Sequence, residues 1–280
     1  MTGHQTTITT KDAHELDAVG LHLSYDGRDV ITDLDLSIPD GEVTVIVGAN
    51  ACGKSTLLRG IARLLRPAAG IISLDGRNAS TYSPKDFAKV VGILPQSPIA
   101  PEGVRVADLV GRGRHPHQGL FRQWSSADTA IVDEAMRATS TSDLAGRRVE
   151  ELSGGQRQRV WIAMALAQDP DILLLDEPTT FLDVTHQIEL LDLLAELNRT
   201  RHSTVVMVLH DLNLAARYAD HLVVMADGAV VANGTPAEVL TSELVQRAFG
   251  LESRIIADPV CGSPMVIPIG RFHRPTETVL

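Results

Sequence analysis

The chain has 280 residues, 44% hydrophobic and 21% charged, a composition that excludes a disordered polymer and fits a folded globular protein. Its 25 basic and 35 acidic residues leave a formal charge of −10, so no general attraction draws it to nucleic acid or anionic lipid. Runs free of charged residues reach only 12 positions and contain prolines, too short for a spanning helix. The opening MTGHQTTITTKD lacks the apolar stretch of an export signal. Two cysteines, Cys52 and Cys261, make no disulfide framework and fit a reducing compartment.

Residues 1–15 are polar and Thr-rich and are expected to form a loose N-terminal segment ahead of a single domain over 16–280. Between 16 and 39, short apolar alternations (Leu21, Leu23, Tyr25; Leu34, Leu36, Ile38) flank the turn pairs Asp26-Gly27 and Asp40-Gly41, predicting small antiparallel strands. Val43 to Val47 is a nearly continuous apolar strand, followed by a glycine loop and a helical run through Leu57, Leu58, Ile61, Leu64 and Leu65. Such a run marks a strand buried on both faces, as in a parallel sheet. Further strands are predicted at 172–175, 204–209 and 222–225, separated by helices over 156–167 and 187–197. The second helix is expected to bury Ile188, Leu191, Leu194 and Ala195. Alternating strands and helices predict an α/β core with a mainly parallel sheet, behind an antiparallel N-terminal β subdomain. The region from 97 to about 148 has no apolar strand, two helical runs (106–110, 128–138) and the basic residues Arg112, Arg114 and Arg122. It reads as a helical insertion that extends, with the next helix, to about residue 160.

Gly48-Ala-Asn50-Ala51-Cys52-Gly53-Lys54-Ser55 matches G-x-x-x-x-G-K-[ST], with Thr56 next, a buried strand before it and a helix after it. Four fixed positions recur by chance in about one chain in a hundred of this size. The pattern suits phosphate because successive backbone N–H groups and a helix N-terminus wrap it, while Lys54 reaches the outer phosphates and the Ser55 hydroxyl suits Mg²⁺. Ile172-Leu-Leu-Leu-Asp176-Glu177 is an apolar strand ending in two carboxylates, the first suited to Mg²⁺ and the second to orienting and deprotonating water. Leu152-Ser153-Gly154-Gly155-Gln156 precedes a helix, where Ser153 alone would read as an N-cap.

These motifs, in this order, resemble those of the ATP-binding subunits of ABC transporters, for which LSGGQ is the signature. The resemblance spans nearly the whole chain. It implies that Tyr25 stacks on adenine and that Gln96 contacts Mg²⁺ and links the core to the helical insertion. It implies that Ser153 and Gly155 bind the γ-phosphate of ATP held by a second copy, in a head-to-tail dimer enclosing two ATP molecules. Asp183 resembles the loop that connects the two sites, and His210 the switch histidine that contacts the γ-phosphate and positions Glu177. The ATPase roles thus fall on Glu177, His210 and Gln96, with Mg²⁺ held at Ser55, Gln96 and Asp176.

Family members commonly carry Pro where Ala49 stands and Gly where Ala51 stands. A positive φ at 51 costs an alanine roughly 1 kcal/mol, so weaker nucleotide binding is expected. Cys52 lies within the loop, so alkylation is expected to block ATP. Three stretches (Val110 to His117, Ser153 to Leu166, Asp258 to Met265) narrow the resemblance to importers of ferric siderophores, haem and cobalamin, and residues 179–187 bring it nearest to the ferric-siderophore ATPases. The resemblance implies a membrane permease and an extracytoplasmic binding protein as partners, a peripheral place on the cytoplasmic face of the membrane, and no nucleic acid. His115 and His117 then read as permease-docking surface rather than an iron site. Haem or cobalamin import is the nearest alternative. A soluble repair or translation ATPase fits less well, since the chain has one cassette and no heptad run, and an exporter fits less well for want of a fused membrane domain.

Overall fold

The computed structural model describes residues 11–25, 27–119, 124–270 and 272. Residues 1–10 of the expected loose segment, Asp26 of the first turn, Arg122 of the insertion and the end of the expected domain at 273–280 lie outside the described residues. Residues 11–15 are fastened rather than loose. The Lys11 N–H donates to the Arg201 carbonyl at 2.7 Å, its ammonium pairs with Asp169 at 2.9 Å, and the His14 ring bridges Asp75 and Asp171. Polar composition here serves ion pairing.

Strands β1 (Leu16–Tyr25) and β2 (Arg28–Ile38) pair antiparallel as their alternation predicts, burying Leu21, Leu23, Ile31 and Leu34 on one face. After β3 (Val43–Gly48) and α1 (Lys54–Ile61) come β4 (Ala69–Leu74), β5 (Arg77–Asn78), α2 (Pro84–Val90) and β6 (Val91–Leu94). Strands β2, β1, β4 and β5, in that order, form the antiparallel subdomain. The insertion contains α3 (Val106–Gly111), a 3₁₀ segment (Arg112–His117) and α4 (Ser126–Ala138), packed against α5 (Gly154–Ala167). Among the described residues it holds no strand between 97 and 148.

Strand β7 (Ile172–Asp176), helix α6 (Val184–Arg201), β8 (Thr204–Val208), α7 (Leu212–Tyr218), β9 (His221–Ala226) and β10 (Ala229–Gly234) complete the main sheet. Its order is β10-β9-β3-β8-β7-β6, parallel except for β10. Helices α8 (Pro236–Val239) and α9 (Ser242–Phe249) lead to a hairpin of β11 (Ser253–Ala257) and β12 (Pro264–Pro268). No described helix is long and apolar enough to cross a membrane.

Two hydrophobic clusters explain the uninterrupted apolar strands. Leu173, Leu175, Val205 and Met207 face the helices of the insertion, whereas Ile172, Leu174, Val206 and Val208 face α1 and the antiparallel subdomain. With both faces covered, nearly every position is apolar.

Helix α6 buries Leu190, Leu191, Leu194 and Asn198, so the expected stripe is rotated: Ile188 and Ala195 are only half-buried. The polar Asn198 belongs inside because its amide donates to the carbonyls of Gly41 (2.7 Å) and Ser203 (2.9 Å). Arg114 is another buried polar residue. Its guanidinium bonds Asp128 at 3.0 Å and the carbonyl of Ala167 at 2.9 Å, pinning the 3₁₀ segment and α4 to the end of α5. His117 is partly buried, its ring against the carbonyl of Gln168 at 2.7 Å. His115 stays exposed.

Candidate active site

The strand register assembles the site. Val208 of β8 lies opposite both Ile46 of β3 and Asp176 of β7, and Leu94 of β6 lies opposite Leu175. The residues that follow these positions, namely the glycine loop, His210, Glu177 and Gln96, therefore leave the sheet side by side at its carboxyl edge. In open α/β sheets that edge is where ligands bind.

There a cleft of about 1020 Å³ is lined by Asn50, Ala51, Gly53, Lys54, Ser55, Thr56, Gln96, Glu177 and His210, together with residues of β2 and of the β9–β10 turn. Gly48 opens the loop against β9. A Cβ there would lie 2.3 Å from the Met225 carbonyl oxygen, so only glycine lets the loop pass that close to β9. Ala51 adopts φ 63°, the left-handed conformation that its expected cost requires. Lys54 is 5% exposed, with its ammonium folded onto the carbonyls of Gly48 and Ala49, each at 2.9 Å.

Beneath the loop, the Ser55 hydroxyl donates to Asp176 Oδ1 at 2.8 Å, while Asp176 Oδ2 is buried with no hydrogen-bond partner among the described residues. Burial pushes the Asp176 carboxyl above the usual range, and the neighbouring Glu177 charge adds to this against the pull of the Ser55 hydroxyl. A buried carboxylate oxygen left bare beside a hydroxyl is a hard-oxygen donor set, and it fits Mg²⁺. Glu177 holds φ 53°, a strained conformation for a side chain with a Cβ. That backbone brings its Oε1 to 2.7 Å from His210 Nε2, and its Oε2 accepts from Thr180 Oγ1 at 3.3 Å.

Other expected residues stand apart from the cleft. Tyr25, at the end of β1, is not among the lining residues, and its hydroxyl accepts from Arg59 at 3.2 Å. The Cys52 thiol faces inward, 6% exposed, and packs in the core with Met225. Alkylation expected from its place in the loop meets a buried thiol that lies 4.0 Å from the Lys54 ammonium. Ser153 caps α5, bonding the Gln156 N–H at 3.2 Å and receiving Gln156 Oε1 on its own N–H at 3.1 Å. That capping uses the Ser153 oxygen as acceptor and leaves its hydroxyl proton for another partner. Gly155 follows in the first turn of α5, close to the Phe181 carbonyl. Asp183 caps α6 and is held below the usual carboxylate range by the His186 backbone N–H and ring. One tie joins the two regions: Gln158 of α5 donates to the carbonyl of Pro178, next to Glu177, at 3.0 Å.

Sequence reasoning missed Arg28, Asp29, Val30, Asp227 and Gly228 as lining residues. The signal for the last two was present, since Asp-Gly between apolar runs marks a hairpin turn. Gly228 takes φ 79°, and a Cβ there would lie 2.2 Å from the Val30 carbonyl oxygen.

Comparison with known proteins places this geometry. Residues 31–180 match the ABC transporter family. The chain is 50% identical to the ferric enterobactin transport ATP-binding protein of Escherichia coli over 262 residues, 94% of this chain and 97% of that one. Its fold is similar to that of a metal-chelate type ABC transporter solved in an inward-facing conformation, with TM-score 0.78, 29% identity, and 92% and 98% of the two chains covered. It is also similar to a dimeric bacterial ABC transporter cassette, with TM-score 0.72, 27% identity, and 79% and 98% covered. A phosphate loop, paired carboxylates and a facing histidine on this sheet, with these relatives, establish that the chain belongs to the ABC transporter family as an ATP-binding, ATP-hydrolysing subunit.

Proposed function

We propose that this chain is the ATPase of an importer that takes up a ferric siderophore through a partner permease, docked on the cytoplasmic face of the membrane. The observation that carries the reading is the 50% identity, over 94% of this chain, with the ferric enterobactin subunit. A substrate-binding protein outside the membrane would deliver the chelate, and specificity would reside there and in the permease.

In this reading the loop N–H groups and the N-terminus of α1 cradle the phosphates of ATP, and phosphate oxygens take over Lys54 from the carbonyls of Gly48 and Ala49. Ser55, Asp176 and Gln96 would hold Mg²⁺, which when bound neutralises charge on the phosphate oxygens. Glu177 orients a water and accepts its proton as the water oxygen bonds to the γ-phosphorus and the bond to the β-phosphate oxygen breaks. His210 Nε2, against Glu177 Oε1, fixes the carboxylate for that task.

Ser153 and Gly155 lie outside the cleft of their own chain, and the similar solved cassette is a dimer. We therefore place them over the γ-phosphate of a second copy, where the Ser153 hydroxyl proton and the α5 N-terminus supply donors. Closure of the pair on ATP moves the helical insertions, and with them the permease helices.

The test is a pull-down of the tagged chain from detergent-solubilised membranes of its host, paired with ferric-siderophore uptake after deletion of its gene. A many-helix permease and lost uptake are expected. Recovery of soluble ribosomal or nucleic-acid partners, or intact uptake, overturns the transport reading.

A further inference from the structure

The stretch from Asp258 to Met265 takes no part in the cleft, yet it is fastened to the helix that begins two residues after His210. Val266 of β12 donates its N–H to Asn213 Oδ1 at 2.7 Å, and Asn213 Nδ2 donates back to the Val266 carbonyl at 3.3 Å. One turn further along α7, Arg217 pairs with Asp258 at 2.6 Å. Asp258 is itself built in: its Oδ1 accepts from the Val260 N–H at 2.8 Å, and its backbone closes the turn to Ser263 and Gly262. The Arg217 hydrogen bond holds the Asp258 carboxyl down at about 2, so the pair stays charged at all working pH values.

Helix α7 needs such a clamp. It has seven residues; the side chains it buries fully are Ala215 and Ala216, while Leu212, Leu214 and Tyr218 pack only partly buried against the core, so the apolar anchorage of so short a helix is modest. The His210 side chain is 47% exposed, so packing does little to hold its imidazole. Its position follows from the backbone on either side: β8 before it, and α7, started by Asp211 capping Asn213 and Leu214, after it.

We propose that the β11–β12 hairpin, gripped by Asn213 and Arg217, is a positioning device for the switch histidine. Asn213 and Arg217 are then positioning residues for ATP hydrolysis: they act through α7 on His210, and through His210 on Glu177. This rests on the reading of His210 and Glu177 as the hydrolytic pair. The stretch from Asp258 to Met265 thereby acquires a role in turnover rather than in binding.

The test is steady-state ATP turnover of the full chain with Asn213→Ala, Arg217→Met, Arg217→Lys and His210→Ala, each also measured for ATP binding and thermal midpoint. A 1 Å misplacement of a reacting group can cost about a hundredfold in rate; about a tenfold fall in kcat is expected for Asn213→Ala and Arg217→Met, with KM for ATP unchanged. Arg217→Lys keeps the ion pair and is expected to restore most of the rate. In the His210→Ala background, Asn213→Ala is expected to add little further loss, because the route is already cut. Additive losses, or a rise in KM with kcat intact, overturn the proposal. If Asn213→Ala fails to fold, Arg217→Met at the outer end of the clamp decides the same question. Intact turnover in His210→Ala removes the hydrolytic reading and the proposal with it. Loss there beside intact Asn213 and Arg217 variants overturns the proposal alone.

Discussion

On the cleft side, Asp176, Glu177 and His210 stand at the ends of two adjacent strands, facing Lys54 and Ser55 at the start of α1, and most are held by one another. On the signature side, Ser153 and Gly155 stand at an exposed helix start whose capping bonds are internal to the segment. The first arrangement is over-determined by a sheet buried on both faces. The second is a finished local motif whose Ser153 hydroxyl proton has no acceptor among the described residues. Ala51 and Glu177 on the first side hold positive φ, as does Phe181, which lies against Gly154 and Gly155 on the second. The difference suggests a division of labour under the proposed function: one side stores geometry, and the other presents an exposed helix start for the proposed second copy. Gln158 on the Pro178 carbonyl is the direct tether between them.

The largest effect expected is from breaking the cleft side at its base. Glu177→Gln keeps shape and hydrogen bonding but cannot take a proton, and turnover falls by roughly 10²–10⁴-fold. Because the signature side is untouched, MgATP is expected to trap this variant as a dimer, read by size-exclusion elution. Monomeric elution in MgATP contradicts the shared-site arrangement.

Arg114→Met attacks the other side. It strands Asp128, whose side chain is 4% exposed, and removing one partner of a buried pair costs about 3–5 kcal/mol. The loss is expected in urea or thermal unfolding, with ATP binding to the loop retained in the folded fraction. The pH dependence has a defined sign. Hydrogen bonds from Ser125 first, and from Arg114 next, hold Asp128 at about 2 against burial, below its ordinary 3.8. That stabilisation is present above pH 4 and is lost as pH falls toward 2, so the gap between wild type and Arg114→Met is expected to narrow over that window. A gap independent of pH removes the ion pair as its cause.

Asp176→Asn sharpens the contrast by separating function from stability. The folded carboxyl titrates above its unfolded value, so the native state binds the proton more tightly, and the ionised group costs stability above that window. Asn at this position is expected to raise the thermal midpoint at neutral pH without nucleotide, to abolish the extra stabilisation given by Mg²⁺ with ATP, and to lower turnover. A lowered midpoint overturns the assignment of strain to this carboxylate.

How far each region was legible follows from the same physics. The loop and the acidic strand could be read because close backbone approach and phosphate chemistry fix residue types at fixed spacing, and double burial writes a strand as an unbroken apolar run. Strand β6 escaped because four residues, one of them Gly92, carry too short a pattern; its pairing with β7 places Gln96. Arg114 was legible only as a basic residue of the insertion and Asn198 not at all, because burial of a polar group depends on partners remote in sequence, here Asp128 and Gly41. The side chains of Tyr25 and Cys52 could be placed by motif but not aimed, since direction depends on Arg59 in one case and on the core around Met225 in the other. The hairpin of β11 and β12 hid behind Pro264 and Pro268, which sit at the two ends of β12.

The smallest effect concerns Ala51, where the cleft side carries strain that a single methyl group creates. Its φ of 63° is one that glycine adopts freely and alanine holds at a cost of about 1 kcal/mol. Glycine also widens the unfolded ensemble, which offsets most of that gain in global stability, by about 0.4–1 kcal/mol. The thermal midpoint of Ala51→Gly is therefore expected to move little. Nucleotide binding reports differently, because only the wrapped loop must hold the strained backbone while the phosphates are gripped. About 1 kcal/mol corresponds to roughly fivefold in affinity, and Ala51→Gly is expected to tighten ATP by up to that factor in equilibrium titration. Unchanged affinity with a raised midpoint means that the loop keeps this shape in every state. The strain at 51 then belongs to the fold, like that at Phe181, and not to the handling of nucleotide.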